Sequence, residues 1–192
     1  MTNRFAGARR LSFMMLAALA ACSSLPPNPR DVLDESTGAT VTIVGAPITF
    51  SGEPDTESAH DYLTLVAVRT DEAGRFTELL LLYRWSGYLR PAPGSTGKSA
   101  GELLIEIDGR TLELQPLQRL PAGLPKPKDL FVPDATEGDL TAYVTDVETM
   151  RLIATSRELS ARVPQEAGSA PFKLWRDGRP ALAQFVKQLS GH

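Results

Sequence analysis

Cysteine occurs once in the 192 residues, at Cys22, and histidine twice, at His60 and His192. One thiol cannot pair within the chain, so a disulfide-stapled scaffold is excluded. Two distant histidines and a single cysteine also leave too few ligands for a zinc or copper site, and no metal is expected. An excess of positive charge is lacking as well. The 20 basic and 23 acidic groups give a formal net charge of −3, which argues against a surface built to neutralise nucleic-acid phosphates. Long apolar runs are short in supply too. Leu11 to Ala21 covers 11 residues, about 16 Å as a helix, roughly half of a bilayer's hydrocarbon core.

That short apolar run follows Arg4, Arg9 and Arg10, with no acid before it. A basic n-region and a brief h-region are the proportions of a signal peptide. Leu19-Ala20-Ala21-Cys22 then resembles the lipobox of bacterial lipoproteins. The chemistry needs small residues before the cut and a thiol to take the diacylglyceryl group. The resemblance covers residues 1–22 and implies cleavage before Cys22 and lipidation of Cys22, with several acyl chains holding the protein on a membrane where one chain would be marginal. Ser23 stands where, in that family, an aspartate favours retention in the inner membrane, so the expected location is the periplasmic face of the outer membrane. Arg9-Arg10 is followed by residues that fit a twin-arginine signal poorly. Removing residues 1–21 leaves 171 residues with a formal charge of about −6.

Residues 23–38 are rich in Pro and Ser and have no apolar period, so 22–38 reads as the lipidated cysteine and a flexible tether reaching at most roughly 50 Å. Residues 39–192 then form one α+β domain: a largely antiparallel β-sheet with one or two C-terminal helices packed on it. Thr40–Val44 and Pro47–Phe50 are short strands. Tyr62–Thr70 and Phe76–Trp85 flank Asp71-Glu72-Ala73-Gly74, a spacing that suits a hairpin with a longer loop. The four leucines at 79–82 do not alternate with polar residues, which suits a central strand covered on both faces or, as the lesser alternative, a short helix. In Glu102–Gln115, Asp108-Gly109 is a two-residue turn that pairs Ile107 with Arg110, Ile105 with Leu112 and Leu103 with Leu114. The prolines of Leu117–Pro133 exclude a central strand and a regular helix.

Leu140–Val144 reads as a strand. Thr145 to Glu148 matches a capping box before the apolar stripe Val147, Met150, Ile153. Leu159–Val163 and Phe172–Trp175 are strands, and Asp177-Gly178-Arg179-Pro180 opens a helix with Leu182, Phe185, Val186 and Leu189 on one face, expected to lie on the sheet as a lid. This layout loosely resembles uncharacterised lipoprotein domains of Gram-negative bacteria, a resemblance that carries no residue-level function.

Two catalytic motifs fail on their context. Ala92-Pro93-Gly94-Ser95-Thr96-Gly97-Lys98-Ser99 fits a loose phosphate-binding loop, but a strand rather than a helix follows, so no nucleotide is expected. Gly97-Lys98-Ser99-Ala100-Gly101 fits the nucleophile-elbow pattern, but the helix is again missing and the only later histidine is the last residue. Glu106 and Glu113, diagonal neighbours on the hairpin, read as a solvated face. No catalytic constellation and no cofactor site remain, and a non-enzymatic protein is expected.

The stretch Tyr83-Arg84-Trp85-Ser86-Gly87-Tyr88-Leu89-Arg90 is the best binding candidate, because Tyr, Trp and Arg combine large rigid area with a polar handle. Tyr83, Trp85, Tyr88 and Arg90 are the expected contact residues; Tyr83 and Trp85 have a competing use as caps of the core. The function expected is a lipid-anchored envelope protein that binds another protein, as an assembly component or as an inhibitor or immunity factor. The alternative is a carrier of a small apolar or lipid ligand, motivated by the leucine-rich strand under an amphipathic helix.

Overall fold

The computed structural model describes residues 27–35, 37–53, 61–86, 101–121, 123–124, 138–164 and 170–191. Its largest local unit is a hairpin of two twelve-residue strands, β4 (Asp61–Glu72) and β5 (Arg75–Ser86). The strands run closer to their turn than the composition suggests. Ala73 and Gly74 both adopt left-handed φ, 53° and 81°, the two-residue geometry whose twist matches the strands, and the Asp71 carboxylate accepts from Gly74 N–H at 2.8 Å. Asp71 and Glu72 are therefore strand residues, paired with Phe76 and Arg75.

β4 is long enough to pair with two strands along its other edge. β3 (Ile48–Ser51) takes Tyr62 to Leu65, and β2 (Thr40–Ile43) takes Val68 to Asp71. Between them Val44 donates to the Ala67 carbonyl at 3.0 Å. β1 (Arg30–Leu33) adds to the outer edge of β2. Residues 30–33 thus belong to the folded domain, and the tether expected over 22–38 ends earlier. The chain packs from Pro27 onward: a Cβ on Gly45 would lie 1.8 Å from the Pro27 carbonyl oxygen, so only glycine admits this approach.

The remaining strands are β6 (Leu103–Ile107), β7 (Arg110–Leu114), β8 (Gly138–Val144), β9 (Leu159–Arg162) and β10 (Phe172–Arg176). β6 and β7 form the hairpin in the register that Asp108-Gly109 dictates. β8 pairs with β5, β9 with β6, and β10 joins β9 to β3. Pro116 bridges Tyr143, and Leu117 N–H donates to the Ala142 carbonyl at 2.8 Å, so the extension of β7 meets β8. The path β3-β4-β5-β8-β7-β6-β9-β10 therefore returns to β3, an antiparallel barrel closed at a short seam.

Paired residues share a face. Inside lie Phe50, Leu63, Leu65, Leu80, Leu82, Leu103, Ile105, Ala161 and Tyr143, all buried. Leu79 and Leu81 point outward and are buried too, as the unbroken leucine run predicts. From the proline-rich connection Leu117 and Leu124 pack against the core.

Two helices close the inner side. α2 (Arg179–Leu189) buries Ala181, Leu182, Phe185, Val186 and Leu189, and α1 (Val147–Thr155) buries Met150 and Ile153. Leu182 meets Val44, Ala46, Ile48, Leu65, Ala67 and Leu80 around a void of about 10 Å³, the volume of one water. The helix start differs from the capping box by one residue. Thr145 N–H still donates to the Glu78 carbonyl at 3.1 Å, which keeps Thr145 in the sheet. The N-cap is Asp146, whose carboxylate accepts from Thr149 N–H at 2.6 Å.

At the far ends of these elements a polar knot ties helix to barrel. The Asp108 carboxylate accepts from Arg157 and Glu158 N–H at 2.9 and 2.8 Å. Arg179 donates to the carbonyls of Ser156 and Arg157 and grips both oxygens of Asp177. Arginine suits this place because its planar fork serves several acceptors at once.

Candidate functional site

The sequence candidates divide on their burial. Tyr83 is 2% exposed and belongs to the core region, so it is no contact residue. Trp85, two residues on, is only partly buried and reaches the outer surface. Tyr88 and Arg90 lie outside the described residues, as do Cys22, Lys98, Ser99, His60 and His192.

Around Trp85 the sheet assembles a surface that no single stretch contains. The register of β4 and β5 sets Tyr62 opposite Trp85, and the two rings stack with centroids 4.3 Å apart and planes 19° from parallel. The Trp85 indole N–H donates to Thr64 Oγ1 at 3.0 Å, across the same pair of strands. This bond and the stack hold the Trp85 ring in one orientation. A third ring comes from β10. Trp175 lies 5.1 Å from Tyr62, tilted by 51°, and is 54% exposed.

The presence of Trp175 here depends on an irregularity. Leu174 pairs with Phe50 and Arg176 with Thr49, so one residue is extra between them and the ladder shifts. A bulge of this kind re-aims a side chain, and here Trp175 is that residue. The Arg176 guanidinium lies over its ring at 5.4 Å, within the range of a cation–π contact. At the margin Lys173 pairs with Glu53 at 3.6 Å and Arg84 with Asp61 at 3.3 Å. The residues Glu53, Asp61, Ser86 and Gly138, where longer connections leave or enter the sheet, gather at the same end: Asp61 pairs with Ser86, and Trp85 with Gly138.

On the β6–β7 hairpin the register makes Glu106 and Glu113 the diagonal neighbours expected, but their side chains go to different partners. Glu106 turns to β9, accepting from Ser160 and Arg162 at 3.1 and 3.0 Å. Glu113 instead shares the Gln115 amide with Glu102, and its hydrogen bond to Glu102 raises the Glu102 carboxyl above its ordinary value. Both belong to an open strand face. Among the described residues no group of three His, Cys, Asp or Glu side chains could hold a metal ion, and no helix is long and apolar enough to cross a membrane.

Tyr62 and Trp175 were missed by reading along the chain. Tyr62 carried a usable signal, since a two-residue turn at Ala73-Gly74 sets it across from Trp85; Trp175 carried none, because β10 reaches β3 only through tertiary pairing. Compared with known proteins, the chain matches no family model, no curated protein and no solved structure.

Proposed function

We propose that this chain is a lipid-anchored protein of the bacterial envelope, without catalytic activity, that binds another protein through the Tyr62–Trp85–Trp175 surface. The observation that carries the binding half is the convergence of three aromatic side chains from three strands on the outside of the barrel, with Trp175 more than half exposed. Large rigid rings beside arginine lose little conformational entropy on binding and dominate interface energies. The anchoring half rests on Leu19-Ala20-Ala21-Cys22. Cys22 precedes Pro27 by five residues, a reach of at most roughly 18 Å, so the anchored domain sits close against the membrane that holds it. The location that follows is the periplasmic face of the outer membrane. The void beside Leu182 is the size of a water, too small to be the site of the alternative reading, a carrier of an apolar ligand.

Replacement of Trp175 by a photo-crosslinking phenylalanine tests the binding half in cells. The expected outcome is one discrete adduct that disappears with Tyr62→Ala and does not form from Leu152, an equally exposed position on α1. Adducts of the same pattern from both positions would overturn the assignment of the surface. For the anchor, Cys22→Ser is expected to abolish acyl labelling and release the protein from the outer-membrane fraction; a variant that stays there has another anchor.

A further inference from the structure

We infer that the outer edge of β1 pairs with the same edge of a second copy of this chain, joining the two sheets through an antiparallel, two-fold ladder centred on Val32. β1 stands outside the barrel. Its only strand neighbour among the described residues is β2, and all four of its residues are exposed. An open row of backbone N–H and C=O groups is a template for a further strand. Edges guarded against this carry lysine, a bulge or a cover. β1 and the residue after it instead place one charge of each sign, Arg30 and Asp34, on either side of Val32 on one face, a spacing that suits a copy of itself.

The ladder to β2 fixes which backbone groups face outward. Asp34 N–H donates to the Ala39 carbonyl at 2.9 Å, in line with the pairs Val32 to Val41 and Arg30 to Ile43. Alternate residues of an antiparallel strand bond to the same side, so Arg30, Val32 and Asp34 turn their backbone to β2, while Asp31 and Leu33 turn theirs outward. Pro29, before them, has no N–H. Glu35, after them, lies in the turn where the Asp34 carbonyl accepts from Thr37 and Gly38 N–H. Asp31 and Leu33 therefore carry any new ladder, and its two-fold registers differ in what they set face to face. Asp31 opposite Asp31 opposes like charges, which is destabilising. Leu33 opposite Leu33 leaves Asp31 against the turn and its acid, Glu35. Asp31 opposite Leu33 uses every outward N–H and C=O of both residues in both copies. The same register sets Val32 against Val32, and Arg30 of each copy against Asp34 of the other.

Packing favours this register too. Val32 lies beside Val41, which is 1% exposed, yet is itself 41% exposed, so it is the rim of a covered sheet face. A second Val32 alongside carries that apolar row across the two-fold axis and shields both valines from water. Opposite charges directly opposed across a strand pair add to this. On the other face Asp31 is held by Thr42 Oγ1, which donates to it at 2.7 Å, so the strand is ordered before it pairs. Few residues meet, which makes the pairing reversible. β1 contains none of the residues of the aromatic surface, so either assignment can fail while the other stands.

A disulfide trap tests the register. The two Val32 residues form a non-hydrogen-bonded pair with Cα atoms about 4.5 Å apart, within the span a disulfide bridges. The two Leu33 residues are offset along the ladder, roughly 8 Å apart and beyond that span. Cells producing the full chain with Val32→Cys are treated with a thiol oxidant, and a dimer that reductant reverses is expected. The parent chain, with Cys22 alone, sets the background, which Leu33→Cys and Leu152→Cys, both at positions more exposed than Val32, are expected not to exceed. With Val32→Cys retained, Arg30→Asp opposes acid to acid and Asp34→Arg base to base, and each is expected to lower the dimer yield about tenfold. The two chains produced together under different tags are expected to regain it as a mixed dimer, because each then meets its opposite charge. Near-UV circular dichroism checks that the variants fold; Arg30→Asp leaves the Asp34 turn intact and decides alone if Asp34→Arg does not fold. A Val32→Cys dimer no stronger than those of Leu33→Cys and Leu152→Cys, a dimer undiminished by Arg30→Asp, a disulfide to a different protein in its place, or folded charge variants that regain nothing together would each overturn the inference.

Discussion

Individual side chains here do work that depends on their backbone as much as on their chemistry. Asp108 has φ of 48°, a left-handed conformation that Asp and Asn tolerate better than most residues. That conformation opens the β6–β7 turn toward the loop after α1, where the carboxylate accepts from Glu158 and Arg157 N–H. The Glu158 hydrogen bond foremost, then that of Arg157 and the charges of Arg157 and Arg179, hold the Asp108 carboxyl below its ordinary value. A carboxyl depressed by folding contributes stability that is present above its unfolded value, about 3.9, and lost as pH falls through the folded one. Asp108→Asn keeps the turn and an acceptor but removes the charge. The urea midpoint of the variant should therefore fall below that of the parent at neutral pH, and the gap should close as the pH falls below about 4; a constant gap would show that the charge is irrelevant. Tyr83 teaches the opposite lesson. It has the chemistry of a contact residue, yet its neighbour in register is the buried Thr64, and burial decides.

At the level of elements, pattern and turn chemistry were good guides wherever a contact is local. The β6–β7 hairpin follows pair for pair from Asp108-Gly109 and the alternation around it, because the turn sets the register and a one-residue slip would turn every leucine outward. The β4–β5 hairpin was legible in its strands but not in its turn. Ala73 occupies a left-handed position with a Cβ that resists it, so the residue type concealed the geometry. Ala73→Asn restores the Asn-Gly sequence this turn prefers and should raise stability by about 0.5–1 kcal/mol, measured as a higher urea midpoint at unchanged slope. An unchanged or lower midpoint would show that Ala73 is not strained. Strand β1 escaped notice for a related reason: all four of its residues are exposed, so no apolar alternation marks it, and only its pairing with β2 makes it a strand.

For the molecule as a whole, closure is the least local event and has the slightest hydrogen-bonded support. The seam consists of the Pro116–Tyr143 bridge, the Leu117 amide and the Tyr143 hydroxyl, which donates to the Gly101 carbonyl at 2.9 Å. Burial drives the Tyr143 phenol well above the ordinary tyrosine value, so it remains a donor across the physiological range. By contrast β4 and β5 pair along twelve residues each. Hydrogen exchange should find the Leu117 amide opening at least about tenfold more readily than the amides of Val66 and Leu81, and Tyr143→Phe should widen that difference. Equal protection at seam and hairpin would mean that the barrel opens only by global unfolding. The aromatic surface belongs to this scale as well. Trp175 meets Tyr62 only because β10 threads between β9 and β3 and carries a bulge, neither of which leaves a mark in the local pattern.

The chain's own residues determined what depends on neighbours in sequence: the strand and helix periods, the turn at Asp108-Gly109, the double-sided burial of Leu79 to Leu82, the α+β class, and the cysteine behind a short apolar run. Each follows from the 2.0 and 3.6 residue periods or from the φ that a side chain tolerates. Tertiary structure alone decided that the sheet closes into a barrel, that Arg30–Leu33 joins it, that Tyr83 is buried, and that Tyr62 and Trp175 complete the surface Trp85 begins. Those outcomes are set by pairings between strands far apart along the chain, where many partners satisfy the same backbone hydrogen bonds and only the packing of the whole core selects one.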